Sequence, residues 1–314
     1  MKRFLVLLPL GLLLAVQTAH AKTVRVFVIG NSFSGNSTKF LPQIVKDRGD
    51  ELVIGRAELG GHSLQQHWSY VEAAEANPED PKGHPYANKT KSLRDLLSAG
   101  TWDYVTIQQY SLLSSDANTY QPYARKLTEF IKKLQPQAEI VVHQTWAYRS
   151  DAKTFGKVAE KQSAKDQREM YEKSRAAYHT LAKDLGLRII PVGDAFRKVT
   201  TDPQREYKKD AKFDWANPSA SYPTLPDQTN SLNVGYSWKK ADTPEGKPTL
   251  NFDANHANDA GCYLGGLVWY GFFFGGSPEK VTYAPPKVSA EFAAQLRKVA
   301  AQTLQETSAA QAKP

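Results

Sequence analysis

The sequence predicts an α/β fold built on a five-stranded parallel sheet. Three observations carry that expectation. Short apolar runs rich in β-branched residues recur along the chain, as buried parallel strands require. Segments with helical spacing separate them, the signature of βαβ units. Glycines or polar turns follow the runs, which places loops at the strand ends.

Val24 to Ile29 is nearly continuous, interrupted only by Arg25, and ends at Gly30. A helical stretch runs from Ser37 to Arg48. Glu51 to Leu59 reads as the second strand, closed by Gly60 and Gly61, and Ser63 to Ala76 as a helix. Pro78, Pro81 and Pro85 make Asn77 to Lys91 a loop. Ser92 to Ser98 is a short helix, and Asp103 to Gln109 the third strand. Between Tyr120 and Leu134, helical spacing puts Leu127, Phe130, Ile131 and Leu134 on one side. Glu139 to Thr145 is the fourth strand. Gln167 to Leu185 is a long helix stopped by Gly186, and Leu187 to Val192 is the fifth strand. Lys198 to Asn251 breaks the alternation. It is polar and rich in Pro, Asn and aromatics, and so reads as an insertion, either a lid or a structural cap. Ala260 to Gly276 has no charge and carries Phe272, Phe273 and Phe274. It is short and holds several glycines, which argues for a core helix rather than a membrane span.

The 314 residues are 41% hydrophobic and 23% charged, which excludes disorder, collagen and coiled coil as descriptions of the whole chain. Lys2 and Arg3, the uncharged stretch from Phe4 to Val16, and Ala19-His20-Ala21 read as a secretory signal peptide over residues 1–21. The expected location is secreted or periplasmic, with residues 22–306 as one domain and 307–314 as a disordered tail. The single cysteine, Cys262, allows no intramolecular disulfide and reads as a small buried hydrophobe. The net charge is +8, but the basic residues are spread along the chain, with one local cluster at Lys208, Lys209 and Lys212. Nucleic acid is therefore not an expected partner. His62 and His67 are not spaced for one helix face and have no cysteine nearby, so neither a metal site nor a cofactor is expected.

Chemistry concentrates in a few places. Gly30-Asn31-Ser32-Phe33-Ser34 follows a strand and precedes a helix, where a serine can be a nucleophile whose own amide also faces an oxyanion. The plainer alternative is a turn in which Ser34, Asn36 or Ser37 caps the helix. Asp253-Ala254-Asn255-His256 puts a carboxylate where it can hold an imidazole in one tautomer; the alternative is a capped helix start. Gly60-Gly61 offers bare backbone amides at a strand end, and Gln108-Gln109 a side-chain amide. These also suit a turn and a surface glutamine. Strand alternation sends Gln108 and Gln109 to opposite faces, so only one can reach a site.

Taken together, these blocks resemble the SGNH (GDSL-like) hydrolase superfamily over nearly the whole chain after the leader. VIGNSFSGN matches its serine block, ELGGHS its glycine block and FDANH its terminal Asp-x-x-His block. Two departures stand out. Asn31 replaces the usual aspartate, and VTIQQYS places Gln108 where the family's third block has asparagine. The sequence is closer to a secreted branch with glutamine there, as carbohydrate-acetylesterase-like relatives have. The resemblance implies a flavodoxin-like αβα sandwich, with the long insertion before the Asp-x-x-His motif. It also implies a serine esterase with Ser32, Asp253 and His256 as catalytic residues. Ser32, Gly60, Gly61 and Gln108 would form the oxyanion hole. Asn31, Trp146 and Tyr148 are the expected substrate contacts, the two rings stacking on a sugar or, alternatively, belonging to core and loop; Arg149 beside them suits an anionic group. The aromatics Tyr207, Trp215, Tyr222, Tyr236 and Trp238 suit sugar faces or a small core of their own. The expected reaction is removal of O-acetyl groups from carbohydrate, the partner being an acylated carbohydrate or small ester. The alternatives are a general short-chain esterase or lipase, and a non-catalytic carbohydrate-binding protein.

Overall fold

The computed structural model describes residues 21–241 and 246–311. All of the expected leader except Ala21 lies outside the described residues. The chain opens with β1 (Thr23–Gly30), α1 (Ser32–Thr38), α2 (Leu41–Asp47), β2 (Glu51–Glu58), α3 (Leu64–Ala76), α4 (Leu93–Ser98) and β3 (Tyr104–Ile107). It continues with α5 (Tyr123–Leu134), β4 (Glu139–His143), a small hairpin of β5 (Lys157–Ala159) and β6 (Gln162–Ser163), α6 (Gln167–Leu185), β7 (Arg188–Ile190) and α7 (Val192–Thr200). A second hairpin, β8 (Asn233–Lys239) and β9 (Thr249–Ala257), precedes α8 (Asp259–Phe274) and α9 (Ala290–Gln311).

The central sheet has five strands in the order β2-β1-β3-β4-β7, all parallel. Alternation along β1 divides the core into two layers. Val24, Val26 and Val28 pack with Phe33, Leu41, Ile44 and the residues of α7, α8 and α9. Phe27 and Ile29 pack the other way, with Leu64, Val71, Leu97, Leu127 and Tyr178 from α3 to α6. This is the three-layer αβα sandwich expected of the sequence, with helices on both faces as a parallel sheet demands.

Several boundaries differ from the sequence reading. The expected helix from Ser37 to Arg48 is two helices. Asn31 caps the first by accepting from the Phe33 amide, and Pro42 opens the second. The insertion begins later than Lys198, because α7 continues to Thr200, and its end is already strand β9. α9 carries on to Gln311, so residues 307–311 of the expected tail are helical; Ala293, Leu296, Val299, Ala300 and Thr303 bury its inner face. Cys262 is buried, as expected of it.

α8 is buried nearly all round, from Ala260 to Phe274, which suits its uniformly apolar sequence. No helix among the described residues is long and apolar enough to cross a membrane. Two glycines let α8 approach α1 and α2 closely. A Cβ at Gly265 would lie 2.9 Å from Ser37 Oγ and 3.0 Å from Ser37 Cα, and one at Gly266 would lie 2.9 Å from Ile44 Cδ1. Because Ser32 begins α1, this contact sets the depth at which the first strand-end turn sits. Gly265→Val gains a few tenths of a kcal/mol in helix propensity but overpacks this contact at a cost of about 1–3 kcal/mol. We expect a net loss of stability of that order in urea unfolding; an unchanged midpoint would show that α1 and α8 are not held at this distance.

Candidate active site

The site lies at the carboxyl end of β1, where the strand hands over to α1. Gly30 is required there: a Cβ on it would overlap Ser34 Oγ and come 3.1 Å from Gln108 Cδ. Asn31 is extended (φ −139°, ψ −162°) and caps α1, so Ser32 is the first helical residue. Its hydroxyl meets a histidine 224 positions later: Ser32 Oγ and His256 Nε2 are 2.9 Å apart. His256 Nδ1 is 2.8 Å from Asp253 Oδ2. Asp253 Oδ1 accepts from the backbone N–H of His256 (3.0 Å) and of Asn255 (3.1 Å). The three expected residues therefore form one continuous hydrogen-bonded line.

Asp253 and His256 are not on a turn before a helix. They belong to β9, and an irregularity in that strand presents them. The antiparallel pairing steps from Asn233↔Ala257 to Gly235↔Asp253, so Val234 alone faces residues 254–256. The surplus residues bulge, which re-aims His256 toward α1. Side chains then fix the bulge. Trp146 Nε1 donates to Asn255 O (2.9 Å), Asn233 Nδ2 to Ala254 O (2.9 Å) and the Arg149 amide to Ala254 O (2.9 Å). The Ala257 amide donates to Asn36 Oδ1 at 3.1 Å, tying β9 to α1.

The electrostatics follow from that geometry. The hydrogen bond with Asp253 raises the pKa of His256 above that of a free imidazole, against the opposing effect of burial. Burial would raise the pKa of Asp253. Hydrogen bonds from the His256 ring and from the amides of His256 and Asn255 outweigh it and hold the carboxyl below its ordinary value.

Gly60 and Gly61 are the centre of a tight turn in which the His62 amide donates to Leu59 O (3.2 Å), with Gly61 at φ +68°. Among the described residues, the N–H groups of Ser32, Gly60 and Gly61 have no hydrogen-bond partner. Asn31 Nδ2 donates to His62 O (2.9 Å), linking this turn to the residue before Ser32. The Tyr110 ring lies 3.8 Å from where a Gly61 Cβ would stand.

The structure corrects five expectations. Gln108 does not turn its amide to Ser32. It is buried, with Nε2 donating to Asn31 Oδ1 (2.7 Å) and Oε1 facing His143 Nδ1 (2.6 Å). Gln109 is no substitute: its Oε1 accepts from the Leu64 and Tyr110 amides and its Nε2 donates to Thr119. Asn31 is only 1% exposed and its side chain is held by Phe33, Gln108 and His62, so it is part of the scaffold rather than an open substrate contact. Trp146 is stacked between Phe33 (4.3 Å) and Phe196 (4.5 Å), a core residue. Tyr148 is buried, with its hydroxyl on Ser111, and offers no open ring face. Arg149 likewise meets no anionic substrate. Its guanidinium pairs with Asp151 (2.7 and 2.9 Å) and lies over the Tyr207, Tyr236 and Phe252 rings at 4.0, 5.0 and 4.8 Å.

The sequence reading offered Asn36 only as a candidate helix cap and gave Asn233 and His143 no role. Asn36 was findable, since it stands one helical turn after Ser32 in the same motif. Asn233 and His143 act through partners distant in sequence and carry no local signal. The expected aromatics of the insertion divide. Tyr207 and Tyr236 enclose Arg149, Trp215 packs on Phe213 and Tyr236, and Tyr222 is 48% exposed beside Trp238.

Comparison with known proteins places this architecture. Residues 25–213 match the family model described as a domain of unknown function, DUF4886. That span includes Ser32, Gly60, Gly61 and Gln108 and stops short of Asp253 and His256. The crystal structure of a DUF4886 family protein from Bacteroides uniformis shares the fold at TM-score 0.66 and 19% identity, over 90% of this chain and 95% of that one. A candidate SGNH hydrolase from Slackia heliotrinireducens reaches TM-score 0.43 at 19% identity, over 79% of this chain and 97% of the other. A protein described as a possible lipase, from Chitinophaga pinensis, also reaches 0.43 at 12% identity, over 80% and 99%. No curated protein matches the sequence. With its family match extending over more than half its length and a solved member sharing the fold, this chain belongs to the DUF4886 family.

Proposed function

We propose that this protein is a serine esterase of the SGNH type. The observation that carries the proposal is the unbroken line from Asp253 through His256 to Ser32, at 2.8 and 2.9 Å. His256 Nε2 takes the Ser32 proton as Ser32 Oγ attacks the ester carbonyl. Asp253, bonded to Nδ1–H, holds the tautomer and stabilises the imidazolium. The unpartnered N–H groups of Ser32, Gly60 and Gly61 receive the oxyanion, a role worth about 3 kcal/mol per donor. The tetrahedral intermediate expels the alcohol, which takes the proton from His256. Water, activated by the same imidazole, then releases the acid from the acyl enzyme.

Within that class we propose deacetylation of carbohydrate by an exported protein. The export reading rests on the N-terminal sequence. The carbohydrate reading rests on polar groups bordering the triad. The Tyr110 hydroxyl and the Asn255 side-chain amide have no hydrogen-bond partner among the described residues and suit a polyhydroxylated leaving group.

Two measurements test this. The chain from Lys22 is expected to hydrolyse p-nitrophenyl acetate, less so the butyrate and octanoate esters, and to release acetate from acetylated polysaccharide. Ser32→Ala, still folded, is expected to lose on the order of 10⁴-fold or more. Preference for octanoate would mark a lipase, and glycan binding without turnover a binding protein. The second is a pH profile. His256 must be neutral to act, and Asp253 raises its pKa, so activity is expected to climb with pH through a value above the ordinary 6.5 of histidine. Asp253→Asn is expected to lower kcat by about 10⁴-fold and to move that acidic limb to lower pH. A limb that stays in place would mean another group titrates.

A further inference from the structure

Four buried side chains form a hydrogen-bonded line behind Ser32: Ser37, His143, Gln108 and Asn31, ending at the carbonyl of His62. The separations are 3.2 Å from Ser37 Oγ to His143 Nε2 and 2.6 Å from His143 Nδ1 to Gln108 Oε1. They continue at 2.7 Å from Gln108 Nε2 to Asn31 Oδ1 and 2.9 Å from Asn31 Nδ2 to His62 O. None of the four side chains is more than 2% exposed. From this line we propose that His143, which touches neither Ser32 nor His256, is a positioning residue that sets the Leu59–His62 turn and the backbone N–H groups it carries. The proposal rests on the esterase reading for its consequence in catalysis, but not for its structural content.

The direction of every bond follows from two backbone groups. The Phe33 amide can only donate, and it donates to Asn31 Oδ1 at 3.1 Å, which fixes which end of that amide is oxygen. Asn31 Nδ2 then faces His62 O, which can only accept. Gln108 meets Asn31 Oδ1 and must present nitrogen to it, so its oxygen faces His143. His143 must therefore carry its proton on Nδ1 and leave Nε2 bare, with the Ser37 hydroxyl donating to it. Burial supports this by lowering the His143 pKa to about 3, so the ring stays neutral. The edge of the Trp269 ring at 5.1 Å and the tight seat of Ser37 on Gly265 leave the imidazole no other partner.

A line with a single allowed direction acts as a lock. If His143 stops donating, Gln108 Oε1 is left buried without a partner and the Gln108 amide is held only through Nε2 on Asn31 Oδ1. Any shift of Gln108 toward another donor is passed to Asn31, which holds both the Phe33 cap and the His62 carbonyl. The turn bearing Gly60 and Gly61 would lose its tie to the residue preceding Ser32. A buried network of this kind holds a geometry only while every member is satisfied.

The test compares His143→Leu, which removes the donor, with His143→Asn, whose side-chain N–H₂ can replace Nδ1–H. We expect His143→Leu to lower kcat for p-nitrophenyl acetate by about 10- to 100-fold with KM changed less than about twofold. In a ¹H–¹⁵N spectrum the Gly60, Gly61 and His62 amides should shift. His143→Asn should restore both readouts. In the parent, long-range ¹H–¹⁵N correlation should show His143 protonated at Nδ1 and bare at Nε2. A proton on Nε2 overturns the proposal, and so does a folded His143→Leu with unchanged kcat and unchanged turn amides. If His143→Leu does not fold, the parent tautomer together with kcat and turn amides in His143→Asn decides. If the parent hydrolyses no ester, the functional reading fails, while the tautomer and the turn amides still decide the lock.

Discussion

The structure depends on a guanidinium withdrawn from water. Arg149 is 2% exposed in the segment that follows β4, and its contacts come from neighbouring Asp151, the insertion and β9. Asp151 accepts two hydrogen bonds from it, Gln228 one at 2.9 Å, and Tyr207, Tyr236 and Phe252 surround its plane. Removing such a charge from water costs several kcal/mol, which only a nearby counter-charge and satisfied N–H groups offset. Asp151 is a near neighbour in sequence, but Gln228, Tyr207, Tyr236 and Phe252 are not, so the enclosure is complete only when the insertion and the β8–β9 hairpin are docked. Even Gly235 is fixed by it, since a Cβ there would overlap Arg149 Nη1 and Gln228 Oε1. The same hairpin carries Asp253 and His256. The insertion is therefore the support of Asp253 and His256, whatever else it covers.

How much of this the sequence shows depends on how local each cause is. The five strands and their parallel order of helices are legible because periodicity is a property of neighbours. The Gly30-Asn31-Ser32 turn is legible for the same reason: a strand end, a conformationally free residue, a cap and a helix start are consecutive. Asp253 and His256 are legible as a pair, but not their placement on a strand, because the bulge exists only through the mismatch with β8. Gln108 shows the limit most clearly. Its residue type suits an oxyanion donor, yet the direction of its amide is set by His143 and Asn31, which lie far away in sequence. Trp146 fails similarly. An aromatic after a strand suits a sugar platform until Phe33 and Phe196 occupy both its faces. The inner face of α9 had a readable spacing in Ala293, Leu296, Val299, Ala300 and Thr303, partly hidden by the small residues around it.

Three histidines gather near the ends of β1 and β4, and burial separates their roles. His143 and His67 are fully enclosed, and desolvation lowers the pKa of each to about 3. His67 lies between Tyr86 OH (2.7 Å) and Gly30 O (3.1 Å), so it braces the same strand end from the other layer. Only His256 keeps part of its ring in solvent and a carboxylate at Nδ1, and only its pKa is raised. Of these three, His256 alone combines a raised pKa with Ser32 within reach, at 2.9 Å. The stability consequences have opposite signs. The Asp253–His256 attraction is fully present below the unfolded pKa of histidine, while Asp253 remains ionised, and fades as pH rises through the raised value. The two buried rings act the other way. Below the ordinary histidine pKa the unfolded chain takes up protons that the folded chain refuses, so stability falls with acid from about 6.5 downward. As pH rises through the raised His256 value the charge attraction to Asp253 is given up while the buried neutral rings are undisturbed, and the imidazole becomes a free base. The groups that build the site and the group that would do its chemistry are matched by how deeply each is buried.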